Sequence, residues 1–413
     1  MREGWEIKKL HELCQIELGK TPYRGDKSYW DIEKETDNVW LSIADLLKTD
    51  GDEVSDSKEY ISNKAAKISK VVKRGTLLLS FKLTLGRLAF AGRDLFTNEA
   101  IAALTIKNEK LIDKYFLYHF LSLFDWNAAA EGDVKVKGKT LNKAKLKEIE
   151  VCFPTSLPEQ QRLVALLDEA FAAIAKAKAN AEQNLKNAKE LFESYLQGVF
   201  ENKGEGWEEK PLREVCSDFL QGINTATDKT VFVDEGIPIL QAKEIGLNKL
   251  DLSNAKFITR DKFELAADRY KPKGGDILYN NIGSSMGRSI IVDWDFDFAI
   301  AWNVMRIIPN RTITNPNFLN YILQSPLVYN DIIFKAKGVG MPFISKKDLI
   351  EIIVSYPPLS EQQTIVRQLD ALRAETQRLE SVYQQKLADL EELKKSILQK
   401  AFAGELTDKS IAS

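Results

Sequence analysis

The side chains best equipped for chemistry in this chain are cations and amides, not nucleophiles or metal ligands. Lys135, Lys137, Lys139, Lys143, Lys145 and Lys147 crowd one short stretch, and Lys64, Lys67, Lys70, Lys73 and Arg74 another. Arg269, Lys271 and Lys273, then Lys335, Lys337, Lys346 and Lys347, are the comparable groups of the second half. Such clusters fit either a solvated surface or a phosphate-holding face, and a net charge of −2 does not choose between them. Catalytic patterns fail on spacing. GVGMPF (338–343) lacks the third glycine of a dinucleotide loop and follows a helical pattern. In GDVKVKGKT (132–140), five residues separate Gly132 from Gly138 where a phosphate-binding P-loop needs four. With only His11 and His119, zinc sites and histidine triads are poorly supplied. Tyr356-Pro357-Pro358-Leu359 lacks the acidic or Asn residue that an amino-methyltransferase sets before Pro-Pro-aromatic. The chain is read as catalysing nothing.

What positions these groups is a duplication. GWEIKKLHELC (4–14) matches GWEEKPLREVC (206–216), with Trp5, Leu10 and Cys14 each 202 residues before Trp207, Leu212 and Cys216. The same offset relates Leu157, Glu159, Gln160, Gln161 and Asp168 to Leu359, Glu361, Gln362, Gln363 and Asp370. It also relates Leu185, Glu190, Leu191, Ser194, Leu196, Gln197 and Phe200 to Leu387, Glu392, Leu393, Ser396, Leu398, Gln399 and Phe402. Between these blocks the halves have diverged, leaving echoes such as KRGTLLLS (73–80) against KGGDILYN (273–280). Each half therefore has a variable head of about 150 residues and a fixed helical arm of about 45, sizes that suit separate cores.

In the first arm Leu163, Leu167, Ala170, Ile174, Ala177, Ala181, Ala188, Leu191 and Tyr195 follow the four-three spacing of a coiled-coil seam. Asn184 occupies the odd slot beside Leu185, which predicts a local shift of the seam. The second arm offers Ile365, Leu369, Leu372, Thr376, Leu379, Tyr383, Leu390, Leu393 and Ile397. The first seam is slim and the second bulky, which suits packing within one chain; pairing with another subunit is the alternative. A continuous helix from Pro158 to Phe200 spans roughly 64 Å at about 1.5 Å per residue. Ser156 or Ser360 is the expected N-cap, and Pro158 suits a first turn. The paired glutamines exceed what capping requires, so they anchor the heads to the arms or to a partner, with head–arm packing slightly favoured. In the heads, VVKRGTLLLSF and KFITRDKF predict strand and turn, whereas 111–124 and 315–334 predict helix. No apolar run approaches the roughly 18 residues of a membrane span, and MREGWEIKKL has no apolar leader core. Cys14, Cys152 and Cys216 are too scattered for a disulfide framework and read as thiols of a reducing cytoplasm.

The twice-used PTSLPEQQ and PPLSEQQ junctions, the Gly-Trp openings, the LGKTP turn and the 202-residue repeat together resemble the specificity subunit of Type I restriction-modification enzymes, over almost the whole chain. LTLGR (83–87) departs from that family's usual Gly-Thr turn, and IGSSMGR (282–288) comes nearer to it. The resemblance implies an α+β, mixed fold. Two globular α/β target-recognition domains, 1–155 and 204–357, would be separated by two long antiparallel coiled-coil helices, 156–203 and 358–406, in a pseudo-two-fold tandem repeat, with 407–413 a C-terminal tail. It also implies that each head reads one half of a split double-stranded DNA site. The arms would fix the spacing and dock methyltransferase subunits, two in number, with restriction-motor subunits completing the complex. No cofactor is expected on this chain; S-adenosylmethionine, ATP and Mg are expected on the partners. Reading bases takes Arg, Lys, Asn or Gln at the groove, with further cations on phosphates. The candidates in the first head are Lys20, Thr21, Tyr23, Arg24, Lys82, Arg87, Lys135, Lys137 and Lys139, the last three for phosphate. Those in the second are Gln221, Asn224, Lys243, Asn280, Asn281, Ser284, Arg288, Lys337 and Met341. For Asn280, Asn281 and Ser284, turn chemistry is an equal reading. Gly86, Gly132, Gly287 and Gly338 are expected where the backbone turns tightly or approaches DNA. The rival reading is a non-catalytic coiled-coil scaffold for protein partners, which has no need of two different heads.

Overall fold

A computed structural model describes residues 3–48, 53–130, 134–135, 138–139, 141–246, 249–338 and 340–407. The chain forms two compact units. One holds Met1–Asn180 and Lys386–Ser413, the other Ala181–Gln385. Each unit thus contains one head, the start of the arm that follows it and the end of the other arm.

In the first unit, Trp5–Lys9 pairs antiparallel with Glu150–Pro154, so the head closes where its arm begins. A five-stranded sheet runs in the order Cys14–Leu18, Ile101–Ile106, Leu77–Ser80, Leu88–Ala91, Glu53–Val54, with only the last pair parallel. Val39–Leu41 centres a three-stranded sheet between Glu59–Tyr60 and Phe96–Thr97. In the second unit, Glu208–Pro211 pairs with Ile353–Tyr356. Its four-stranded sheet orders Cys216–Gln221, Val304–Pro309, Ile277–Asn280 and Ser289–Ile291, all antiparallel. Ile237–Leu240 lies between Lys256–Ile258 and Ala299–Ile300. The two heads therefore share the order of four main-sheet strands and of the three-stranded sheet under sequences that have diverged, with Glu53–Val54 added at the edge of the first. The expected head helices appear as Lys114–Leu123 and as Pro316–Gln324 followed by Pro326–Lys335. The second pattern is broken because Ser325 caps a new helix and Pro326 cannot donate into the old one.

The arms are single helices, Leu157–Glu201 and Leu359–Phe402. Ser156 takes the cap position of the first through its carbonyl, which accepts from Glu159 and Gln160. In the second that position belongs to Pro358, accepting from Glu361 and Gln362, so Ser360 lies inside the helix and is not the cap. Within each unit the arms run antiparallel. In the first, Leu167 packs with Leu398 and Ala401, while Lys178 meets Glu391 at 2.7 Å. In the second, Arg373 lies over Phe192 and Tyr195 reaches Gln368. The seam shifts as its Asn184 slot requires. Beyond Ala188 it continues through Phe192, Leu196 and Phe200, leaving Leu191 49% and Leu393 47% exposed. Leu191 and Leu393 thus lie outside the buried seam, and Tyr195, half-exposed, meets the other arm through its hydroxyl, because the four-three register does not survive the odd slot. Leu196 and Phe200 instead join the core of the second head with Phe318, Leu319 and Ile322. Burial of such a side chain contributes about 1.5–3 kcal/mol, which makes the arm end part of the head's core.

Candidate nucleic-acid interface

In each head, the strands of the main sheet end together on one side and release a crown of loops. Leu18, Ser80 and Leu88 reach this edge in the first head, and Gln221, Asn280 and Ser289 in the second. The segments that leave it are 19–30 and 81–87 in one head, and 222–230 and 281–288 in the other. The same backbone bond secures both crowns: Leu141 N–H to the Phe81 carbonyl at 3.0 Å, and Ile344 N–H to that of Asn281 at 2.9 Å. A further hairpin precedes each bond. In the first head it is Val134–Lys135 with Gly138–Lys139, and in the second it closes with Lys337 opposite Phe343.

The crown of the first head gathers most of the expected residues. Lys20 and Arg87 are exposed, and Tyr23 is 74% exposed. The Arg24 guanidinium stacks on Trp30 at 4.3 Å and near Trp40 at 5.1 Å, while both its terminal nitrogens bond to Glu59. Glu59 holds the Arg24 guanidinium further into its charged form. Thr21 donates to Glu99. Lys82, half-buried, lies over Phe81. Gly86 has φ +78° and sits on Trp126, whose ring a Cβ would meet at 2.2 Å. No side chain fits there, so the turn that presents Arg87 is fixed by glycine. Lys135 and Lys139 lie in the hairpin; Lys137 and Gly132 fall outside the described residues. Asn142 caps the helix that follows, accepting from Lys145 N–H at 2.8 Å.

The second crown repeats the plan with other chemistry. Gly287, φ +90°, sits on Tyr329 as Gly86 sits on Trp126, and Ser284 and Arg288 are exposed beside it. Met341 is 65% exposed on the turn that opens at Gly338, φ +97°. Lys337 is exposed and paired with Asp348 at 2.9 Å. Gln221 bonds to Asn281 and to the Trp302 carbonyl. Asn224 caps its own turn by accepting from Thr227 N–H. Lys243 pairs with Glu244 and donates to the Asn254 carbonyl. Two expectations are corrected. Asn280 is 0% exposed and donates to the Ala242 and Ile245 carbonyls and to Ser285, and Asn281 is buried and donates to the Ile344 carbonyl. Both tie the crown together from inside and present nothing to a groove. Trp302 and Leu83, half-exposed at the same edges, escaped the sequence reading because apolar residues there read as core.

The glutamines divide their work. Gln160 is 0% exposed and fastens the first head to its arm through Asp113, Leu111 and Pro154. Gln362 makes the same three bonds to Asn315, Ile313 and Pro357. Gln161 and Gln363 are exposed.

Duplicated heads with matching crowns of unlike residues, each built onto paired helical arms, define a class of protein that recognises through two different surfaces on one scaffold. The description "Type I restriction modification DNA specificity domain" belongs to a family model that matches residues 2–186 and again 204–389, and the chain belongs to that family. It is 24% identical to the MjaIX specificity subunit of Methanocaldococcus jannaschii, over 86% of this chain and 84% of that one. To the EcoBI specificity subunit of Escherichia coli it is 27% identical, over 75% and 69%. In fold it is similar to a chain from a structure of type I R-M system assembly, with TM-score 0.77 and 19% identity over 97% and 98% of the two chains. An HsdS subunit from Thermoanaerobacter tengcongensis superposes with TM-score 0.62 at 20% identity over 98% of each chain.

Proposed function

We propose that the chain is the DNA-recognition subunit of a Type I restriction-modification complex, with the heads at 1–155 and 204–357 each reading one half of a bipartite site. The observation that carries this reading is the pair of crowns: one order of main-sheet strands, one set of backbone ties, and different exposed side chains. Arg87, Arg288 and Met341 are assigned to base edges, and Lys20, Lys135, Lys137 and Lys139 to phosphates. The arms, 156–203 and 358–406, fix the spacing between half-sites, as dimer geometry does in other DNA readers. Two methyltransferase subunits dock on this chain and a restriction-motor subunit joins them. S-adenosylmethionine, ATP and Mg belong to those partners, and the assembly works in the cytoplasm. Among the described residues no helix is long and apolar enough to cross a membrane. Methylome sequencing of cells expressing this subunit with its methyltransferase tests the reading. A two-part motif is expected; methylation without a motif contradicts it.

A further inference from the structure

The two arm pairings contain the same cation–π contact with its polarity reversed. In the first unit Lys394, from the end of the second arm, lies over Phe171 near the start of the first, at 5.0 Å. In the second unit Arg373, near the start of the second arm, lies over Phe192 at the end of the first, at 4.6 Å. Positions 171 and 373 are equivalent under the 202-residue repeat, and so are 192 and 394. A simple duplication would leave the aromatic at the same position in both copies. Instead both aromatics stand on the first arm and both cations on the second. Arg373 is the stronger of the two, stacked also on Tyr321 at 4.4 Å and bonded to Gln324 at 3.1 Å.

We propose that these four residues are a pairing code that makes the arms complementary to each other and not to themselves, so that the first arm accepts only the second. Same-arm pairing between two copies would set Phe171 against Phe192, losing both cations, and Arg373, half-buried, against Lys394, exposed, placing two like charges together. The seam repeats the logic in shape. Ala177, Ala181 and Ala188 stand where the second arm has Leu379, Tyr383 and Leu390. Slim against slim leaves voids, and bulky against bulky overpacks. Positive and negative terms thus act together, as specificity between similar partners requires. The consequence rests on the proposed reading of the heads. Same-arm pairing would give one assembly two copies of the same head and hence a symmetric site, whereas the code enforces one of each.

The code can be erased without losing either contact. Phe192→Arg with Arg373→Phe keeps both cation–π pairs within the chain, but leaves each arm with one aromatic and one cation, able to pair with its own kind. Two differently tagged full-length copies are co-expressed, and co-purification, native mass and melting temperature are measured. Self-association is expected to rise by roughly tenfold or more in the double variant, the worth of regained cation–π contacts and relieved like charge. Adding Phe171→Lys with Lys394→Phe moves both cations to the first arm and should return the protein to the natural chain's state. Unchanged self-association in a folded double variant overturns the proposal, as does a rise that the fourfold variant fails to reverse. Should the double variant not fold, Phe171→Lys with Lys394→Phe alone supplies the same comparison at the more exposed pair. The measurement uses no DNA, so its failure is distinct from a failure of the heads to read sequence.

Discussion

The side-chain carbonyl of Gln160 accepts a 2.8 Å hydrogen bond from the backbone N–H of Asp113, the cap residue of the head helix Lys114–Leu123. Its amide donates to the Leu111 and Pro154 carbonyls, so one buried side chain joins the head's helix, its last strand and its arm. Gln160→Ala removes the partner of three backbone groups, through one buried bond, to the Pro154 carbonyl, and two part-buried ones. It should cost about 2–4 kcal/mol of stability, at about 1–3 kcal/mol for each group that water does not reach. Gln161→Ala, at the exposed neighbour, should stay within about 0.5 kcal/mol. Urea titration of the two variants checks the contrast.

Arg306 and Asp276 form a buried pair at 2.7 Å in the second head, with Arg306 also donating to the Asp268 carbonyl. Arg306→Met strands the carboxylate and should cost about 3–5 kcal/mol. Adding Asp276→Leu should recover most of that loss. A double-mutant cycle by thermal melting measures the coupling.

Burial pushes the Cys14 thiol up to about 12, against a smaller opposing effect of Lys107, and raises Cys216 in the same direction. The folded pKa lies above the unfolded value of about 8.5. The contribution is therefore complete below that pH and is lost as pH rises towards the folded value. The melting temperature should fall progressively from about pH 9 upwards. Cys14→Ala should flatten that fall, and native Cys14 should resist alkylation at pH 8.

Arg87 and Arg288 follow equivalent glycine turns in the two crowns. Arg87→Ala should relax specificity in one half of the site only, and Arg288→Ala in the other, each by about 1–3 kcal/mol of base discrimination. Lys20→Ala should weaken binding to all sequences alike and reduce the slope of log affinity against log salt by about one. Binding titrations of the methyltransferase complex over a salt series separate the two effects.

The arms and their junctions were legible because long amphipathic helices and a repeat offset are properties of sequence alone. Even there the register failed beyond Ala188, since one off-pattern slot rotates every later position. The shared topology of the heads was not legible. Strands of two to six residues such as Phe96–Thr97 and Ala299–Ile300 carry too little alternation to be read, and their partners lie far along the chain. Asn280 and Asn281 show a second limit. An amide at a strand end can face a groove or hold a loop, and only the three-dimensional fold, which buries both against residues 242–245 and 344, separates these roles. The exposure of Arg87 and Arg288 was legible because glycine marks the turn that presents each of them.

The central claim is that two different heads read two halves of one site, and exchange of a head tests it most directly. Residues 1–155 are replaced by the corresponding head of a relative with a known motif, joined at Pro154 so that the Gln160 junction is kept, and the methylome is sequenced. The account predicts a hybrid motif: one half from the donor, the other half and the spacer unchanged. A motif unchanged in both halves, or altered in both, would contradict it.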